Sequence, residues 1–210
     1  KIDESSPADE QIIARANIKR AKEMMQNYDK CDLSCRIGGL ELLDKFYFLY
    51  LQNMKELGTP PFPKILYKEI IENFSERAKI ILVEKQKHVC SSSLIIKVSK
   101  TEMYTYVIST PRLYKSGRSS HLIYMQAAKE AQKMGCSVIN FGRSIDGSGP
   151  AFFKKRYGLE TVPLIMYSTL DDWTVTNPQN SILRYAVAVW KNLPISLTKI
   201  GGTILAKHVL

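Results

Sequence analysis

Side chains suited to holding an anion gather just after a predicted short buried strand, Ser137–Phe141. The guanidinium of Arg143 can hold a phosphate or a carboxylate through two parallel hydrogen bonds. A predicted helix opens a few residues later, and the backbone N–H groups at a helix N-terminus also attract anions. The residues that would line such a site are Arg143, Ser144, Gly147, Ser148 and Gly149. The structural alternative is that Arg143 pairs with Asp146 or Glu160 and fixes the turn.

A second basic group stands immediately before a predicted helix at Ser119–Met134. Arg112, Lys115 and Arg118 flank the aromatic ring of Tyr114. Basic side chains interleaved with an aromatic ring can follow a phosphate backbone while the ring stacks on a base. The pattern therefore predicts a phosphate-binding segment, and a flexible solvated loop explains it equally well.

The positive charge of the chain is concentrated around these two groups. The net charge is +10, and residues 111–160 alone hold nine Lys or Arg against three acidic residues. Such an excess attracts nucleotide phosphates, tRNA or an acidic membrane surface. A well-solvated basic face would give the same composition.

Cysteine content and hydropathy argue against several other classes of protein. Four cysteines are too few for a disulfide scaffold at this length, and the Cys31/Cys35 pair lacks further ligands for zinc. No apolar run reaches the ~20 residues that span a bilayer, and no signal peptide is recognisable. We therefore expect no metal and a cytoplasmic location, with the inner face of the membrane as an alternative place.

Hydrophobic periodicity predicts the elements that must position these residues. From Cys31 the order is one strand, two helices, three strands, helix, strand, helix and strand, and two further helices close the chain. The predicted bounds are Cys31–Ile37, Leu40–Leu57, Lys64–Phe74, Ala78–Glu84, Val89–Ser99, Glu102–Ser109, Ser119–Met134, Ser137–Phe141, Gly149–Tyr157, Thr161–Leu170, Asn180–Trp190 and Ile195–Val209, after an amphipathic helix at Asp9–Gln26. The chain begins with Lys1 rather than Met, so we expect that a further domain precedes it.

This element order resembles that of the GNAT acyltransferase fold, and local motifs add a more specific likeness. The segments NFGRS (140–144), GSG (147–149) and FFKKRYG (152–158) resemble the C-terminal signature of Fem-like (FemAB-related) transferases, including the BioF2-like acetyltransferases. The resemblance covers roughly 15–210 and implies an α/β fold, a GNAT-like mixed sheet flanked by helices, with an extra N-terminal helix and two C-terminal helices. It divides the chain into a linker and helix (1–30), a GNAT-like acyltransferase domain (31–170) and a C-terminal helical extension (171–210).

The resemblance also implies roles for individual residues in acyl transfer. Lys154 lies four residues before Gly158, where GNAT enzymes often carry a catalytic tyrosine, so it would stabilise the tetrahedral oxyanion electrostatically. Phe153 would pack beside it or stack on a base. The implied substrate-binding set is Phe153, Arg143, Ser144, Gly147, Ser148, Gly149 and Tyr157, and donor phosphates would contact Arg112, Lys115 and Arg118. The structural alternatives are a solvated Lys154 on a basic helix and a core Phe153.

One departure from the ordinary GNAT pattern concerns the donor. GNAT enzymes bind the coenzyme A pyrophosphate with a Gln/Arg-x-x-Gly-x-Gly/Ala loop, whereas residues 112–119 read RLYKSGRS, with one glycine and three basic residues. Fem-like transferases also lack that loop, take the acyl group from aminoacyl-tRNA and usually hold two GNAT-like domains. We therefore expect aminoacyl-tRNA or acyl-CoA as co-substrate, and tRNA and a missing N-terminal GNAT-like domain as partners.

Three functions follow from these observations. The first is a Fem/GNAT-type transferase that moves an aminoacyl or acyl group onto an amine of a cell-envelope or exopolysaccharide precursor. The second is an acetyl-CoA-dependent small-molecule N-acetyltransferase, and the third is a non-catalytic tRNA- or anion-binding half of a two-domain protein. Glu84, His88 and His121 are conceivable general bases, although each fits a surface or capping role better.

The closing helices combine apolar and basic residues. The apolar set is Val187, Trp190, Leu193, Leu197, Ile200, Ile204 and Leu205, and the basic set is Arg184, Lys191, Lys199 and Lys207. This composition is typical of a face that lies on a membrane. Packing against the sheet or against the absent domain is the more common arrangement of such helices.

Overall fold

The structure is a computed structural model that describes residues 32–144, 147–155, 161–162 and 181–209. The helix predicted at Asp9–Gln26 lies outside these residues, as does nearly all of the strand predicted at Thr161–Leu170. Tyr157, which the resemblance placed among the substrate-binding residues, also lies outside them.

The described chain alternates helices and strands in the predicted order. The strands are β1 (Leu33–Gly38), β2 (Ala78–Lys85), β3 (His88–Lys97), β4 (Glu102–Ser109) and β5 (Val138–Asn140). The α-helices are α1 (Leu43–Leu57), α2 (Lys64–Phe74), α3 (Ser119–Lys133), α4 (Gly149–Lys155), α5 (Ser181–Asn192) and α6 (Ile195–Val209). Short 3-10 helices lie at Leu40–Leu42, Ser75–Arg77 and Arg112–Gly117. The two predicted C-terminal helices are thus confirmed.

The strands form one mixed sheet in the order β1-β2-β3-β4-β5. The first four strands are antiparallel to their neighbours, and β5 pairs with β4 in parallel. A parallel pair requires a crossover, which α3 provides. The α/β fold class with a mixed sheet flanked by helices is therefore confirmed.

Local sequence explains how several of these elements begin and end. Gln86 and Lys87 adopt φ of +48° and +69°, as the tight turn between β2 and β3 requires. Helix α1 ends at Gly58, whose φ of +77° lets the chain leave the helix, and prolines follow it.

Both faces of the sheet carry a buried core. On one face, α3 contributes Leu122, Ile123, Ala127, Ala128 and Ala131 to a cluster with sheet residues such as Ile81, Val83 and Ile95. On the other, aromatic rings of α1 and α2 pack together with a ring of β4; they are Phe46, Tyr47, Tyr50, Tyr67 and Tyr106. This double-sided burial fixes the strands that lead to the candidate site.

One predicted element differs in extent and burial. The sequence predicts a buried strand at Ser137–Phe141, whereas β5 covers only Val138–Asn140 and is half-buried to exposed. The reason is its position, because in the described part of the chain β5 lies at the edge of the sheet and pairs only with β4.

The described residues fall into two compact units. The first contains residues 32–50, 64–144 and 147–155, and the second contains 51–63, 161–162 and 181–209. In the second unit, the Trp190 ring lies over Gly201, since a Cβ there would be 3.3 Å from it. Gly202 packs against Pro61 in the same way, because a Cβ would come within 2.7 Å of the Pro61 carbonyl oxygen.

Candidate active site

The candidate site lies where β4 and β5 stop pairing. The last paired residues are Tyr104 and Asn140, yet β4 runs on to Ser109. A β-bulge adds Tyr106 to β4, since Thr105 pairs with Ile95 and Val107 with Leu94. A bulge bends a strand and increases its twist. We call the region between β4 residues 106–109 and residues 143–144, where no strand pairing is present among the described residues, the opening.

The Gly-Arg-Ser turn, residues 142–144, follows β5 at this opening. The Asn140 side chain fixes it: its Oδ1 accepts a hydrogen bond from the Gly142 N–H at 2.9 Å, and its Nδ2 donates to Glu102 at 3.1 Å. Thr105 adds a third contact by donating its hydroxyl to the Asn140 carbonyl oxygen at 2.9 Å. Gly142 has a φ of +67°, which favours glycine at this position. The turn is therefore held at a defined place beside β4.

The ammonium group of Lys154 lies against this turn. Its Nζ donates to the carbonyl oxygen of Gly142 at 2.9 Å and to that of Arg143 at 3.4 Å. The side chain is half-buried, and desolvation lowers its pKa below the usual lysine range. An ammonium has three N–H donors, so one remains for another acceptor. The arrangement places a positive charge at the edge of the opening.

Helix α4 is anchored so that Lys154 keeps this position. Ser148 caps the helix by accepting a hydrogen bond from the Ala151 N–H at 3.4 Å, as serine commonly does before a first turn. The Phe153 ring packs on α3, with ring centroids 4.8 Å from His121 and 5.2 Å from Tyr124. Phe153 therefore packs against α3, and its stacking on a base stays a prediction.

The other predicted anion-binding residues lie near the turn but are not gathered around one point. The side chains of Arg143 and Ser144 are exposed, as are Gly147 and Gly149. Asp146 and Glu160, the acids proposed as structural partners of Arg143, lie outside the described residues. Because Ser148 already accepts an N–H of α4, part of the predicted helix N-terminal donor set is used by the cap itself.

The second predicted basic group forms an ordered connection between β4 and α3. Arg112 and Lys115 lie on the 3-10 helix Arg112–Gly117, and Arg118 takes a left-handed conformation with φ of +63° before α3. The side chains of Arg112, Lys115 and Arg118 are exposed, as binding to a phosphate would require.

Buried hydroxyl groups tie this connection to the sheet. Ser91 and Thr110 share a hydrogen bond of 2.6 Å, and Ser120, in the first turn of α3, donates to Thr110 at 3.1 Å. Ser119 is buried and donates to the Tyr114 carbonyl oxygen at 3.4 Å. These bonds set the N-terminus of α3 beside the end of β4.

The three conceivable general bases have different surroundings. Glu84 is buried and forms ion pairs with Lys45 at 2.9 Å and Arg36 at 3.5 Å, which is a structural arrangement. His88 is exposed at the start of β3. Of the three, His121 lies close to the residues around Lys154, because its ring contacts that of Phe153 at an interplanar angle of 46°.

Sequence reasoning did not single out Asn140, Thr105 or Glu102, although they hold the turn. Asn140 was the one with a signal, since asparagine two residues before a glycine commonly accepts a hydrogen bond from that backbone. The other two lie on β4, and only the strand pairing brings them to β5.

Two further features of the described residues concern metal ions and membranes. They hold no group of three or more His, Cys, Asp or Glu side chains arranged to bind a metal ion. None of their helices combines the length and the apolar character needed to cross a membrane.

The fold of the described chain is the GNAT fold, as comparison with solved structures shows. An aminoglycoside acetyltransferase, meta-AAC0020 from an uncultured soil metagenomic sample, matches with a TM-score of 0.52 and 10% identity over 67% of this chain and 97% of that one. Aminoglycoside N-acetyltransferase AAC(6')-Iy in complex with CoA matches with a TM-score of 0.51 and 10% identity over 66% and 100%. AAC(6')-IG from Acinetobacter haemolyticus gives 0.51 and 11% over 66% and 99%.

No protein-family model matches the sequence, and no curated protein sequence matches it either. At identities near one in ten, the structural likeness establishes the fold and leaves the reaction to be argued from the site itself.

Proposed function

We propose that this chain is an acyltransferase of the Fem/GNAT type, which moves an aminoacyl or acyl group onto an amine of a cell-envelope or exopolysaccharide precursor. The observation that carries the proposal is the Lys154 ammonium, held by two carbonyl oxygens at the edge of the opening. A fixed positive charge at such a place can stabilise an oxyanion without reorganising during the reaction.

The proposed reaction needs few side chains. The acceptor amine attacks the carbonyl carbon of the donor ester or thioester, and the oxygen gains negative charge in the tetrahedral intermediate. Lys154 donates its remaining N–H to that oxygen. The intermediate collapses as the C–O or C–S bond breaks, so the 3′-hydroxyl of tRNA or the CoA thiol leaves, and the amine loses its proton to the leaving group or to solvent.

The donor would enter along β4. Beyond Tyr104 the edge of β4 that faces the opening has no partner among the described strands, so its N–H and C=O groups can pair with an extended, amide-bearing arm. Arg112, Lys115 and Arg118 would receive the donor phosphates at the connection before α3. Arg143, Ser144, Gly147, Ser148, Gly149 and Tyr157 would complete the substrate-binding set, with Phe153 supporting Lys154.

A second candidate is an acetyl-CoA-dependent small-molecule N-acetyltransferase. It is favoured by the solved structures of the same fold, which are N-acetyltransferases and include one in complex with CoA. Acyl-CoA is therefore a plausible co-substrate of the proposed enzyme, beside aminoacyl-tRNA. A non-catalytic half that binds tRNA or another anion is the third candidate, supported by the exposed basic connection before α3.

The partners and the location belong to the same proposal. The proposed partners are tRNA and a further GNAT-like domain that precedes this chain. The proposed location is the cytoplasm, with peripheral contact at the inner face of the membrane.

The test offers both donors to the purified chain with a panel of polyamine and aminosugar acceptors. Free CoA thiol reports transfer from acetyl-CoA, and labelled product reports transfer from aminoacyl-tRNA. Transfer for which aminoacyl-tRNA is a donor, and which falls about 10²–10³-fold in Lys154→Met, supports the proposal. The matched control is Lys100→Met, an exposed lysine in the turn between β3 and β4, which should leave the rate unchanged.

The same experiment separates the candidates. Turnover with acetyl-CoA alone favours the second candidate, and so does thermal stabilisation by CoA. Steeply salt-dependent tRNA binding without transfer favours the third, because the salt dependence reports counterion release from phosphates. Full turnover in Lys154→Met would remove the proposed role of its ammonium group.

A further inference from the structure

Helix α6 has its large apolar residues on the side that faces solvent. Leu197, Ile200 and Ile204 are spaced by three and four residues, so they share one face of the helix. Their side chains are 52%, 60% and 57% exposed. We call these three residues the α6 stripe.

The opposite face of the helix is packed by small residues. Gly202 lies two positions from both Ile200 and Ile204, roughly 200° around the axis at about 100° per residue. It is buried against Pro61, and Thr198 on the same side is 1% exposed. The inward face therefore needs small residues for close packing, and the stripe stabilises nothing in the described part of the second unit.

The two helices α5 and α6 carry basic residues and no acidic ones. Residues 181–209 contain no Asp or Glu, while Arg184, Lys191 and Lys199 are exposed. Further apolar side chains are exposed on α5, namely Tyr185 and Val189. An exposed apolar stripe on a helix pair that contains basic and no acidic residues has the composition of a helix that lies in the plane of a bilayer interface.

We propose that the α6 stripe docks the chain on an anionic lipid surface. Leu197, Ile200 and Ile204 would enter the boundary between headgroups and acyl chains, while Lys199 and its basic neighbours would contact anionic headgroups. This inference deepens the proposed location, and it rests on the exposed side chains rather than on the acyl-transfer role.

Charge argues against a second copy of the chain as the occupant. A symmetric dimer through this face would bring the same basic residues of both copies together, with no acid in 181–209 to compensate. The stripe is also small. Residues 197–204 span roughly 10 Å along the helix, and three side chains cover only a small part of the about 1,000 Å² that a stable interface buries.

The experiment measures co-sedimentation of the full chain with vesicles of phosphatidylcholine alone and of phosphatidylcholine mixed with phosphatidylglycerol. We expect binding to the mixed vesicles that weakens as salt is added. Ile204→Asn should weaken it about tenfold, because much of one isoleucine is withdrawn from the bilayer. Lys199→Gln should weaken it about fivefold and reduce its salt dependence.

A matched variant controls for the loss of an exposed isoleucine as such. Ile65 is 55% exposed on α2, so Ile65→Asn makes the same change elsewhere and should leave vesicle binding unchanged. Unchanged thermal midpoints in all three variants would show that the folded state persists.

The proposal is overturned by equal binding of wild type and Ile204→Asn, or by the absence of binding to the anionic vesicles. Dimerisation in sedimentation equilibrium that Ile204→Asn abolishes, without vesicle binding, would assign the stripe to a second copy instead. Transfer activity is measured in solution without vesicles, so failure of the docking proposal removes the proposed membrane location but leaves the proposed transfer reaction standing, and failure of transfer leaves the docking proposal standing.

Discussion

Replacing Lys154 by methionine tests whether its ammonium group has both a structural and a chemical task. Methionine keeps the length and the apolar stem of the side chain but removes the charge and the N–H donors. The carbonyl oxygens of Gly142 and Arg143 then lose their shared donor. We expect a moderate loss of stability and a much larger loss of transfer rate.

The size of the stability loss follows from the two hydrogen bonds. A hydrogen bond to a charged group contributes about 1.5–3 kcal/mol when buried, and the 3.4 Å bond to Arg143 is long enough to count for little. Since Lys154 is half-buried, water can replace part of what the 2.9 Å bond provides. We therefore expect a loss of about 1–2 kcal/mol, or a fall of about 2–8 °C in Tm for a domain of this size.

Thermal unfolding followed by far-ultraviolet circular dichroism measures the structural part, and the transfer assay measures the chemical part. Lys154→Arg separates them, because a guanidinium keeps the charge and can reach the carbonyl oxygens but presents its donors in a different geometry. We expect Lys154→Arg to regain most of the stability and little of the activity. A Tm unchanged in Lys154→Met would refute the hydrogen-bonding role, and activity restored fully by arginine would refute the need for a precisely placed donor.

Three further predictions concern hydrogen bonding, ion pairing and packing, two of them in the first unit and one in the second. Ser91 and Ser93 are both fully buried on one face of β3, but only the Ser91 hydroxyl is hydrogen-bonded, to Thr110 and to the carbonyl oxygen of Ser109. Ser91→Ala should therefore cost about 1 kcal/mol in urea unfolding, whereas Ser93→Ala should be neutral or stabilising. Burial alone would raise the pKa of Glu130, but the ammonium groups of Lys79 and Lys133 lower it. The carboxylate therefore stabilises the fold above the ordinary carboxyl pKa, and this contribution disappears as pH falls through the lowered pKa. The destabilisation caused by Glu130→Gln should accordingly shrink below about pH 5. Gly202→Ala should lower Tm through an overlap costing about 1–3 kcal/mol, since its Cβ has no room; an unchanged Tm would contradict that packing.

Elements with strong local signals were predictable from the sequence. The turn between β2 and β3 and the bounds of α2, β4 and α6 agree with the prediction, because apolar periodicity and breakers such as Gly58 act within a few residues. The extent of β5 was not predictable in this way, since its burial depends on which strands lie beside it.

The candidate site was predictable only in outline. The sequence indicated Lys154 and the Gly-Arg-Ser turn, and the structure brings them into contact. The ammonium donates to backbone carbonyl oxygens, and because every residue has one, the sequence does not indicate which of them will accept. The bulge at Tyr106 could not be predicted from the sequence either, because it arises from the pairing between β3 and β4 rather than from a local motif.

The closing helices show how periodicity identifies an apolar face without saying where that face points. Leu197, Ile200 and Ile204 have the spacing of a core-facing stripe, and packing was the more ordinary interpretation. In the described part of the second unit, Gly202 contacts Pro61 on the opposite side of the helix, and the three apolar side chains are exposed.

The parallel pairing of β5 has a consequence for the order in which the molecule assembles. Strands β2, β3 and β4 are neighbours in sequence and can associate through short turns, whereas β5 meets β4 only after the whole of α3 has been laid down between them. We therefore expect the Lys154 ammonium and the turn to come together after β2, β3 and β4 have associated. For the same reason we expect the short β4–β5 pairing to open before β2, β3 and β4 separate, so that the candidate site is less stable than the strands beside it.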